Sequence, residues 1–305
     1  MLMNLSSAIK HPSFSVMSVL LFAVLFLLAF QPDILLSNFF SNQSLDIRIL
    51  IMFLIAEPHF AMTIPLLWGY KVLFKTEKVY FVYIPFAIIT LSIIIFYINI
   101  AIYSYLFLLA NIYHVNRQSR GMLLIQGKAN LHTANIYEIT LHALCLVIFI
   151  GRIYLPHSSI VLIFSAFVFV TLLSILVWTT QGEKLNLSKV FITLQGYLIF
   201  LPALYFQDLI LAFAVGISIH YIQYLAISFP VCKKSFGISF FPLILFLLGY
   251  SLLSTGALSG FFSNEKISIF VLIPTSLQLL HFYFDGFIWR KSNKIVRETL
   301  NKASL

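Results

Sequence analysis

Residues 79 to 116 contain no charged side chain. The run is built mainly of Ile, Leu, Phe, Tyr and Val, and it is too long for one crossing of a hydrocarbon core about 30 Å thick. It therefore reads as two transmembrane helices that break near Asn99. A second long run, 190 to 230, breaks at Phe206-Gln207-Asp208, where polar residues interrupt it. A chain that carries such runs is committed to helices in a bilayer, because lipid offers no hydrogen-bond partner to an open backbone.

The rest of the chain agrees. With 61% hydrophobic and 10% charged residues, it lies outside the range of soluble domains. The alternating ten-residue segments of a β-barrel are absent. The expected fold is an all-α polytopic transmembrane bundle with about ten spans: 14–31, 48–70, 79–97, 100–117, 131–152, 159–178, 189–206, 208–230, 237–257 and 267–290. Lys10 precedes the first apolar run as in a signal sequence, but no small-residue cleavage site follows Phe30, so the run is kept as a helix. No repeat, linker or second domain is evident. Residues 1–305 read as a single integral-membrane domain with a short basic tail, 290–305.

Charge placement orients this scheme. With both termini cytoplasmic, all of the 19 Lys and Arg except Arg48, Arg152 and Lys266 fall on the cytoplasmic side. Trp68, Trp178 and Trp289 then mark cytoplasmic span ends. The net charge of +9 is explained by this bias, and nucleic acid need not be invoked. Absence of a cleavage site and the charge bias suit a bacterial inner membrane. Two cysteines, Cys145 and Cys232, exclude a disulfide framework and a CxxC site.

The polar residues inside the spans carry the chemistry. Span two holds Glu57-Pro58-His59, and span four ends in Asn111-Ile112-Tyr113-His114. Span five holds Glu138 and His142, span eight His220, and span ten His281 and Asp285. Glu138 with His142, and His281 with Asp285, stand four apart on one helix face. Counting back from the cytoplasmic span ends puts His59, His142 and His220 about 16 Å deep, His281 about 13 Å and His114 about 4 Å. Asp285 and Glu138 come out about 7–10 Å deep. Histidines gathered in one layer of a bundle suit a metal: neutral imidazole binds iron, zinc and copper, and carboxylates serve as ligands or orient the rings. His11, His132 and His157 read as interfacial. The HExxH, Walker A, GxGxxG and GxSxG patterns are all missing. The same polar layer suits a haem-binding or electron-transfer membrane protein, or a proton-coupled transporter relaying through Glu57, Glu138, Asp285 and the histidines.

Pro58-His59, Tyr113-His114, His220 and the terminal run His281-Phe282-Tyr283-Phe284-Asp285-Gly286-Phe287-Ile288-Trp289-Arg290 resemble, in chain order, the Brp/Blh family of integral-membrane carotenoid oxygenases, which cleave β-carotene to retinal. Where that family offers a second histidine four residues after the eighth-helix one, this chain has Tyr224. The resemblance implies a non-haem Fe(II) oxygenase or dioxygenase that uses O2 on a lipid-soluble, carotenoid-like substrate drawn from the bilayer. It implies His59, His114, His220 and His281 as metal ligands. Asp285 would then orient His281, and Glu138 with His142 would be auxiliary.

Overall fold

Two features of the backbone recur where this sequence has to reconcile a long apolar helix with a proline. A proline has no N–H to give the carbonyl four residues back, and its ring crowds that carbonyl. In the computed structural model of the chain, each of two such prolines is preceded by a π-helical turn. Met52–Ala56 is π-helical ahead of Pro58, with the Glu57 N–H bonded to the Met52 carbonyl. Val79–Tyr83 is π-helical ahead of Pro85, with the Ile84 N–H bonded to the Val79 carbonyl. The wider turn takes up the mismatch without ending the helix.

The structure describes residues 49–125, 130–154, 159–166, 168–169, 187–206, 209–262, 272–288 and 298. Among them every regular element is helical: α1 (Ile49–Gly69), α2 (Lys71–Thr76), α3 (Val79–Ile98), α4 (Ile100–Ile125), α5 (Leu131–Tyr154), α6 (Leu187–Leu198), α7 (Pro202–Tyr205), α8 (Leu209–Phe236), α9 (Phe240–Phe262) and α10 (Leu272–Ile288). The expected first span, half of the sixth, Trp178, Trp289, His11, His157 and nearly all of the basic tail lie outside the described residues.

Four helical stretches among the described residues are long and apolar enough to cross a membrane: Ile49–Gly69, Val79–Ile98, Leu131–Gly151 and Leu211–Lys234. Their surfaces are apolar as well. Leu91, Ile98 and Leu146 in these stretches, and Leu252 and Leu253 on α9, are among many large hydrophobics left exposed, far more than water tolerates in contiguous faces. Length, composition and surface together make this a helical membrane protein.

The expected breaks appear, each with a local cause. Asn99 is extended (φ −159°, ψ 105°) and its Oδ1 accepts the Ile102 N–H at 3.1 Å, capping α4. Asn130 caps α5 in the same way, accepting the Thr133 N–H at 2.8 Å. Phe206 is extended and ends α7. Gly237, at φ 66°, closes α8, and the Ile238 N–H returns to the Cys232 carbonyl. Two expectations differ. The fourth span was expected to end at Arg117, yet α4 runs on to Ile125. The seventh was expected unbroken from 189 to 206, yet it is interrupted at 199–201 between α6 and α7.

The described residues fall into two compact units, one from 49–111 and 224–298, the other from 112–223. In the first, α1 packs along α9, and α10 packs on both α3 and α1. Met62, Leu66, Phe81, Leu243 and Phe284 belong to its core. In the second, α5 packs on α6. There the Tyr137 hydroxyl donates to the Thr193 carbonyl at 2.9 Å, and Gly196 leaves the room that the phenol fills, since a Cβ would collide with Tyr137 Oη.

Candidate metal centre

Each unit brings two histidines together from different helices. In the first unit the kink-flanking Pro58 leads directly into His59 on α1. His59 is fully buried and meets His281 of α10, also buried, with ring centroids 4.4 Å apart at 66°. Tyr224 of α8 stands edge-on to both, 4.3 Å from His59 and 5.1 Å from His281. Phe60 closes another side, 5.3 Å from His281 and 6.0 Å from Phe282. Thr63 lies one helical turn beyond His59, on the same face of α1. Its Oγ1 is 2.5 Å from His281 Nδ1.

Beside this pair is a buried carboxylate. Glu57 is wholly enclosed and accepts two hydrogen bonds, from Ser254 Oγ at 2.6 Å and Gln278 Nε2 at 3.1 Å. Gln278 precedes His281 by three residues and Glu57 precedes His59 by two. The Glu57–Gln278 bond therefore ties α1 to α10 close to the level at which their histidines meet.

In the second unit His114 of α4 faces His220 of α8. Both are buried, with ring centroids 4.9 Å apart at 86° and ligand nitrogens within 4.8 Å of one another. Tyr221 packs on His220 at 5.5 Å. The Gln118 side chain donates to the His220 carbonyl at 3.3 Å, and Gln223 donates to Gln195 at 2.5 Å a turn further along. His114 was expected near the cytoplasmic edge. Because α4 continues past it to Ile125, it sits in the middle of its helix instead. The polar run Asn116-Arg117-Gln118 imitated a helix end, but Asn116 and Ser119 are buried.

The other expected site residues are placed differently. His142 is half-buried, with Nδ1 2.8 Å from the Glu138 carbonyl of its own helix and its ring 5.9 Å from Tyr113. Glu138 pairs with Arg120 at 3.1 Å, and Arg120 also donates to Asn135. Asp285 is half-buried one turn beyond His281. His132 is exposed. Sequence reasoning overlooked Thr63. No signal in the sequence marks it, since a threonine four residues after a histidine gains its partner only from the helix packed opposite.

Four buried imidazoles in two close pairs suit a borderline metal ion such as iron, copper or zinc, which the neutral ring binds. Among the described residues Cys232 lies instead against Met62, at 3.7 Å. The class defined by fold and site is thus a helical membrane protein with buried histidine groups able to hold a metal. Compared with models of protein families, with curated proteins and with solved structures, the chain matches none.

Proposed function

We propose that the protein is a membrane-embedded non-haem iron oxygenase, with His59 and His281 of the first unit and His114 and His220 of the second as iron ligands, and a lipid-soluble, carotenoid-like molecule as substrate. In this reading the chain crosses a bacterial inner membrane ten times, with both termini in the cytoplasm. The observation that carries it is the pairing itself: all four histidines singled out by the sequence resemblance are buried, and they come ring to ring as His59–His281 and His114–His220.

Bound there, Fe(II) would supply the redox chemistry that O2 requires to react with an apolar carbon centre. The chain's own residues do the rest. The four imidazoles bind metal in their neutral form. Tyr224, Phe60 and Phe282 around the first pair, and Tyr221 beside the second, exclude water from the rings and offer flat apolar surfaces to a polyene-like substrate. Asp285 serves as the outer carboxylate of α10, and Glu138 and His142 brace α4 and α5 through Arg120 and Tyr113.

Detergent-purified protein should carry stoichiometric iron without a Soret band, and His59→Ala and His281→Ala should each lose it. Full metal retention in both variants would overturn the reading. A Soret band would replace it with a haem protein. One observation favours a second reading. Glu57, an acid enclosed within α1, is the kind of group that marks ion pathways in transporters. Proton-dependent uptake in liposomes by metal-free protein would establish that alternative.

A further inference from the structure

The contact between Thr63 and His281 has a chemical meaning that the packing alone does not require. A neutral imidazole carries one N–H and one bare nitrogen, and only the bare nitrogen can bind a metal. Which nitrogen is bare depends on the hydrogen bond made by the other. For His281 the Nδ1 atom is 2.5 Å from Thr63 Oγ1, in a buried setting. If the hydroxyl donated to Nδ1, the proton would sit on Nε2 and close that atom to a ligand role. If the hydroxyl accepts, Nδ1 keeps the proton and Nε2 points to the ion.

We infer that Thr63 is the positioning residue for His281, accepting the Nδ1–H bond and thereby presenting Nε2 to the metal. This rests on the metal reading above. Three features of the chain suit it to this role. Thr63 and His59 share one face of α1, so the same helix supplies one ligand and the partner that orients the next. Thr63 is β-branched, which limits χ1 to two rotamers in a helix and so narrows where the oxygen can lie. The Glu57–Gln278 hydrogen bond fixes α10 against α1 a turn before His281, so the imidazole is held by the helix register on one side and by the hydroxyl on the other. Partners of this kind commonly change metal affinity by about 10–100-fold.

The test uses the full-length protein in detergent, loaded with Co(II) as a spectroscopic stand-in for iron. Thr63→Val keeps the side-chain shape and removes the hydroxyl. It should weaken Co(II) and Fe(II) binding about 10–100-fold and shift the visible d–d bands, while the metal-free variant still unfolds cooperatively. Thr63→Ser should restore affinity and bands. Wild-type affinity and spectrum in Thr63→Val would overturn the inference and leave the metal reading standing. Equal losses in Thr63→Ser and Thr63→Val would also overturn it, because the hydroxyl would then not be the cause. A wild-type protein that binds neither ion would overturn both.

Discussion

At the level of single residues, the second unit turns on a glycine. Tyr137 reaches from α5 to hydrogen-bond the Thr193 carbonyl, and it does so across the bare Cα of Gly196. A methyl group there must displace the phenol and its hydrogen bond. Gly196→Ala is expected to cost about 1–3 kcal/mol, as overpacking usually does, measured by thermal unfolding in detergent. Gly196→Ala with Tyr137→Phe should recover part of that loss, because the two sites share one contact. The paired histidines and the threonine beside them show the opposite balance of legibility. Histidines in apolar helices stand out because they are costly there, so His59, His114, His220 and His281 could be read directly from the chain. Thr63 could not, since threonine is cheap in a membrane helix and its role depends on what lies opposite. His114 was legible as a residue and misplaced in depth, because buried amides on α4 looked like the polar end of a span.

Helices carry the second set of consequences. Glu57 is tied to Ser254 of α9 and Gln278 of α10, so three helices meet at one carboxylate. Glu57→Gln keeps its oxygen as acceptor for Gln278 and offers its NH2 to Ser254, whose hydroxyl can turn to accept, so it should be tolerated. Glu57→Leu orphans two buried polar groups at about 1–3 kcal/mol each, and its denaturation midpoint in a detergent titration should fall well below that of Glu57→Gln. If Leu and Gln behave alike, the carboxylate is not what joins these helices. The breaks between helices were legible wherever a capping side chain makes them, at Asn99 and Asn130. They were not legible at 199–201, where α6 gives way to α7 among apolar residues. That break has its basis in packing. The backbone of α8 comes so close at Gly216 that a Cβ would strike the Ile199 carbonyl, a close approach that no periodicity in the sequence announces.

For the whole molecule, charge bias makes a claim about sidedness. The proposed topology puts Asn99 outside the cell membrane and Lys75 inside. The two native thiols, Cys145 and Cys232, are buried, so their background should be low. Asn99→Cys is expected to react with a membrane-impermeant maleimide in intact spheroplasts, and Lys75→Cys only after lysis. The reverse pattern would invert the orientation, and equal labelling of both would remove the basis for a fixed count of spans between them. Fold class was legible from composition because the cost of an unpaired backbone in lipid leaves few options. The grouping into two compact units was not, because α4 and α8 each contribute to both and nothing in their sequences marks the change at Asn111 or Gln223.

The π turn at Met52–Ala56 gives α1 one residue more than regular winding would need. Its effect is one of phase. Everything after it, from Glu57 through His59 to Thr63, keeps its own angular spacing, while everything before it is turned by about 100° relative to a regular helix. A deletion of one residue within this turn would therefore leave the histidine and threonine facing α10 and rotate only the approach to them. Insertions elsewhere in α1 would lack that escape. Between Pro58 and Thr63 the spacing of ligand and hydroxyl is rigid, and a single added residue there would part them by the same angle.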